Sequence, residues 1–171
     1  MITNWLAPSS ITFNTDPTNT NSVWTDTIHD VSQLIFPVLT KKNMRRISLH
    51  DIATTFVLSD TLVLSGFEIP TYTTLLGMEI KVNVRRQSRV TDYVLQPFIG
   101  STTYDNLAVA DGNTPNETIY GSSTSLWGMD PTVDLKDPSF GIYYQVGPHP
   151  HYPSSDEAII DNVLIRLHYT Q

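Results

Sequence analysis

The sequence of 171 residues predicts an all-β fold, an antiparallel β-sandwich preceded by an extended N-terminal arm. Three observations carry that expectation. In "LLGMEIKVNVRR", Met78, Ile80, Val82 and Val84 point one way while Glu79, Lys81, Asn83 and Arg85 point the other. A period of two belongs to a strand with one buried and one wet face. The C-terminal "DNVLIRLHYTQ" repeats it, with Val163, Ile165, Leu167 and Tyr169 inward and Asn162, Leu164, Arg166 and His168 outward. Third, 11 prolines and 8 glycines are scattered among many Ser, Thr and Asn residues, which favours short elements joined by turns over a few long helices.

Taken in order, residues 1–39 show no sustained period. "FNTDPTNTNSVW" is turn-forming and "VSQLIFPVL" is broken by Pro37, so this part reads as an extended arm with isolated anchors at Trp5, Phe13, Trp24 and Phe36. Such segments are ordered by packing on their own sandwich or on a partner. Residues 40–171 form the sandwich domain. "ISLHDIATTFVL" and "TLVLSGFEIP" are its first strands, the second closing at Pro70. In "TDYVLQPFIG", Tyr93, Leu95 and Ile99 share a face, and Pro97 marks an edge position or a bulge. "FGIYYQVG" supplies Phe140, Ile142, Tyr144 and Val146. The stretch from Ser101 to Ser139 is too long to lack structure of its own and is expected to hold short strands near Leu107–Ala110 and Trp127. The sum is roughly seven to nine strands with no helical window.

Composition narrows the function classes. The absence of cysteine excludes disulfides, thiolate nucleophiles and Cys-based metal sites. A formal net charge of -7 argues against nucleic-acid binding. "MITNWLAPSSITF" has neither a basic n-region nor a long apolar run, and no window reaches membrane-spanning length. No Lys or Arg precedes Lys41; then "KKNMRR" groups Lys41, Lys42, Arg45 and Arg46, and "RRQSR" adds Arg85, Arg86 and Arg89. These are solvated turns or docking patches for an acidic protein surface.

No nucleophile elbow, P-loop or G-x-G-x-x-G occurs. His149 and His151 have ligand-like spacing beside Asp156 and Glu157, but each adjoins a proline and no third ligand is set; a stiff exposed loop explains them. Asp130, Asp134 and Asp137 lack the EF-hand order, and their Asp-Pro pairs suit turn initiation. The expectation is a non-enzymatic protein with no catalytic residues, cofactor or metal. In "YGSSTSLWGMDP", Trp127 is either a ligand platform or a plug closing the sandwich, with Gly128 giving the backbone freedom to turn away from it.

The motif order "GFEIPTYTTLLGMEIKVNV", "VTDYVLQPFIG", "IYGSSTSLWGMDPTVDLKDPSFGIYYQV" and "AIIDNVLIRLHYTQ" resembles a group of small tailed-bacteriophage virion proteins, over roughly Trp24 to Tyr169. The resemblance implies a jelly-roll-like β-sandwich and a virion structural protein, made in the host cytoplasm and carried in the particle. On that reading the chain is a capsid decoration, or cement, protein that binds the outside of the head as a homo-oligomer, a trimer by resemblance. Its partners are the major capsid protein or other virion proteins, with no nucleic acid and no membrane. Trp5, Phe13 and Phe36 would supply apolar anchors, while Lys41, Lys42, Arg45 and Arg46 would meet an acidic capsid surface. The alternative is a tail-fibre, receptor-binding, neck or baseplate module, with Tyr104, Tyr120, His151 and Tyr152 as a candidate receptor surface.

Overall fold

In a computed structural model, which describes residues 1–14, 24–27, 38–41, 61–86, 90–108, 115–148 and 158–171, the chain forms two antiparallel five-stranded sheets. Sheet I has the order β1-β4-β9-β6-β7, from β1 (Ser10–Asn14), β4 (Thr61–Ser65), β9 (Phe140–Pro148), β6 (Val90–Ile99) and β7 (Thr102–Thr103). Sheet II has the order β2-β3-β10-β5-β8, from β2 (Trp24–Thr27), β3 (Val38–Lys41), β10 (Ala158–Thr170), β5 (Thr74–Arg86) and β8 (Glu117–Gly121). From β4 to β10 the chain changes sheet at every connection except β6–β7, the jelly-roll-like pattern of an all-β sandwich. No helix occurs among the described residues.

The alternation sets the interior. Met78, Ile80, Val82 and Val84 of β5 lie against Leu167, Ile165, Val163 and Ile160 of β10, and all eight are buried. Phe140, Ile142, Tyr144 and Val146 of β9 face them from sheet I with Leu62 and Leu64 of β4. Burying so many large apolar side chains, at about 1.5–3 kcal/mol each, is what holds the two layers together.

A carboxylate is built into this interior. Asp92 of β6, fully buried, accepts hydrogen bonds at 2.5 Å from the hydroxyls of Tyr144 in the same sheet and Tyr120 in the opposite one. A bulge between Asp92 and Val94 turns the Asp92 side chain inward. The bulge also corrects the expected face of β6: Tyr93 is the extra residue and only half-buried, while Leu95 is core. Pro97 sits where β6 has, beyond it, only the two-residue β7, so its missing N–H costs the ladder little.

The short strands of the long connection lie elsewhere than expected. They are Thr102–Thr103 and Glu117–Gly121, whereas Leu107 and Ala108 are irregular and Trp127 occupies a turn.

The first fourteen residues serve both sheets. Met1 and Tyr169 exchange backbone hydrogen bonds, Thr3 N–H donates to Leu167 O at 3.0 Å, and Leu6 pairs with Ile165 in both directions at 2.7 and 3.0 Å. This segment thus lines β10 where β3, paired only with Ile159 and Ile160, has left off. Past Pro8 the chain crosses to sheet I, where β1 pairs with β4 along its whole length. The division expected after Leu39 falls inside β3. The strand expected over 47–58, and the loop holding His149, His151 and Tyr152, lie outside the described residues.

Candidate interaction surface

The outer face of sheet II is built from the polar half of the β5 and β10 alternation. Antiparallel register sets Glu79 opposite Arg166, with His168 two residues further along the same face. Glu79 Oε2 accepts from Arg166 Nε at 2.6 Å and lies 2.8 Å from His168 Nε2. The Arg166 hydrogen bond, with a smaller contribution from His168, holds the Glu79 carboxyl below the ordinary carboxylate range despite its partial burial. Further along the same two strands, beyond Lys81 and Leu164, Asn83 Nδ2 donates to Asn162 Oδ1 at 2.7 Å.

The N-terminal segment places Trp5 on this cluster. Leu6 turns inward beside Ile165, so its neighbour Trp5 turns outward beside Arg166. The Arg166 guanidinium carbon lies 4.4 Å and Lys81 Nζ 4.7 Å from the indole centroid, a double cation–π contact. Ile119, exposed on β8 and in register with Lys81, and exposed Ile2 form an apolar rim. Of these residues, tryptophan and arginine are types enriched at protein interfaces, whereas lysine is depleted there.

Of the residues expected at an interface, Trp5 is the one whose surroundings are described. Phe13 pairs with Leu62 along β1–β4, and Lys41 pairs with Trp24 along β2–β3. Phe36, Lys42, Arg45 and Arg46 lie outside the described residues. Lys81, Glu79, Arg166 and His168 were legible only as the wet side of two strands. Their convergence needs the β5–β10 register, which alternation alone does not supply.

Trp127 has no ligand-facing role in this arrangement. It is 2 % exposed and its Nε1 donates to Met78 O at 2.8 Å, which fastens the 122–129 turn over the end of β5. Its φ of 55° and that of Gly128, 76°, make a paired left-handed turn, for which glycine is the easy residue at the second position. At Gly121 a Cβ would stand 2.4 Å from Met78 O and 2.8 Å from Trp127 Nε1, so the indole fits only against a glycine.

The acidic loop is likewise internal scaffolding. Asp130 accepts from Thr132 N at 2.7 Å, Asp134 from Lys136 N at 2.9 Å and Asp137 from Ser139 N at 2.8 Å, three Asx-turns in succession. Hydrogen bonds from Thr132 and Ser139 lower the Asp130 and Asp137 carboxyls below their ordinary values. The Tyr72 hydroxyl ties the loop to the sandwich, donating to Val133 O and accepting from Leu135 N. Among the described residues no three His, Asp or Glu side chains converge as metal ligands.

No protein-family model, curated protein or solved structure matches the chain.

Proposed function

We propose that this chain is a non-enzymatic structural protein of a tailed-bacteriophage particle, a capsid decoration protein that binds the outside of the head and stabilises it. The observation that carries the reading is where the motifs of the phage-protein resemblance sit. "GFEIP" places Phe67 against Phe140 at 5.8 Å, "LWG" is the Trp127 turn, and "DPSFG" is the Asx-turn leading into β9. They frame one rigid sandwich. The conspicuous polar groups Asp92, Glu79, Asp130 and Asp137 are occupied in holding it.

Docking falls to the sheet II face around Trp5, Lys81 and Arg166, supplemented by the basic run at Lys41, Lys42, Arg45 and Arg46. The partner is an acidic surface of the major capsid protein or another virion protein. Charge there serves on-rate and register more than affinity. Repetition over a capsid lattice, with the chain itself oligomeric, makes modest single contacts sufficient.

The test is co-sedimentation of purified chain with emptied phage heads, combined with their thermal rupture temperature. Saturable binding that raises the rupture temperature is expected, weakened by Trp5→Ala. Failure to bind heads, or adsorption of the free protein to host cells instead, refutes the decoration role and favours a receptor-binding module.

A further inference from the structure

Sheet I carries a second surface of different chemistry. By register, Thr12 of β1, Val63 of β4, Tyr143 of β9 and Gln96 of β6 form one row straight across four strands. Neighbouring strands are about 4.8 Å apart, so the row runs roughly 14 Å. Every described position that alternates onto this outer face is uncharged, being Ser, Thr, Asn, Val, Gly, Gln, Phe or Tyr. In a chain with 27 ionisable Lys, Arg, Asp and Glu (10 basic and 17 acidic), a sheet face whose described positions carry none is a chemical statement.

At the centre of the face two rings stack. Phe98 lies over Gly141, where a Cβ would meet Phe98 Cζ at 2.5 Å. Tyr143 stacks on Phe98 with centroids 4.1 Å apart and planes 13° from parallel. Phe98 is only 8 % exposed and Tyr143 is half-buried, so Tyr143 is the ring on offer. Its hydroxyl makes no hydrogen bond among the described residues. Beside it, the Gln96 amide is held by donating to Tyr104 O, which presets its orientation.

We infer that the outer face of sheet I is a binding platform for an uncharged saccharide chain. A pyranose ring offers an apolar C–H face and a girdle of hydroxyls. An aromatic ring stacks on the first, and amides and hydroxyls exchange hydrogen bonds with the second. A charged ligand would be met by countercharges, which the described positions of this face lack. A second copy would bring the same amide and hydroxyl row, with no charge pair to set its register. The inference stands independently of the capsid assignment.

The experiment is calorimetric titration of the full chain with maltoheptaose, cellohexaose and a linear galactan oligomer, using polygalacturonate as the acidic control. At least one neutral probe binds, more tightly than polygalacturonate. Tyr143→Ala weakens that binding about tenfold, whereas Tyr143→Phe keeps it within about threefold. Failure of all three neutral probes overturns the inference, as does equal or tighter binding of polygalacturonate or binding that survives Tyr143→Ala. Should Tyr143→Ala melt early, Gln96→Ala is read in its place, and undiminished binding there is equally fatal. Concentration-dependent dimerisation that Tyr143→Ala abolishes, with no saccharide bound, assigns the face to a second copy and also overturns it.

Discussion

The outer faces of the two sheets grow from the same alternation and end with opposite chemistry. On sheet II, Glu79, Arg166 and His168 satisfy one another, and Trp5 is drawn across Lys81 and Arg166 by the N-terminal segment. On the outer face of sheet I the described positions carry no charge, and stacked aromatics lie among amides and hydroxyls. The difference follows from what each strand pairs with. β10 sets Arg166 opposite Glu79, whereas β9 sets Gly141 and Tyr143 opposite Phe98 and Gln96. A shared interior can therefore support two surfaces with separate tasks, one electrostatic and one neutral.

The sharpest control for this comparison lies beneath both faces. Trp127→Ala empties a site 2 % exposed at the end of the sandwich and is expected to cost about 3–5 kcal/mol in chemical denaturation, with both faces lost together. Near-normal stability would show that the turn is not part of the shared frame. Next is Asp92→Ala, which strands the hydroxyls of Tyr120 and Tyr144, one from each sheet, at about 1–3 kcal/mol each. Asp92→Asn keeps an acceptor and is expected to cost less; equal losses would mean that the inter-sheet link depends on more than an acceptor.

Smaller effects distinguish the faces themselves. On sheet I, Gly141→Ala sets a methyl 2.5 Å from Phe98 Cζ and 2.6 Å from Leu64 O, with an expected cost of about 1–3 kcal/mol that is indifferent to salt. On sheet II, Glu79→Gln is expected to cost under about 1 kcal/mol at neutral pH, because the cluster is near solvent. That difference is present above the ordinary value of 4.5, since the folded carboxyl is held lower. It closes as pH falls through the folded value and shrinks in high salt. Melting curves of wild type and variant against pH decide it; a gap that persists in acid would mean that Glu79 acts by packing.

Much of this was legible before any coordinates. The inward residues of β5, β9 and β10 could be read from alternation because these are long strands with one buried face. The plug role of Trp127 was legible from the Gly and Asp-Pro residues around it. Asp92 was not, because a bulge breaks the period at Tyr93 and its tyrosine partners lie 28 and 52 residues away. β8 is not legible in the sequence because five residues, Glu117–Gly121, alternate too briefly to stand out from a polar loop. On the candidate surface, Trp5 stood out as an isolated aromatic, but the cations that hold it come from strands distant in sequence and depend on register.

The proposed role is tested most directly by the number of copies of this chain in purified phage particles, counted by quantitative mass spectrometry against the major capsid protein. A decoration protein is expected in hundreds of copies, in simple proportion to capsid subunits. A few copies per particle, or none, would contradict the account.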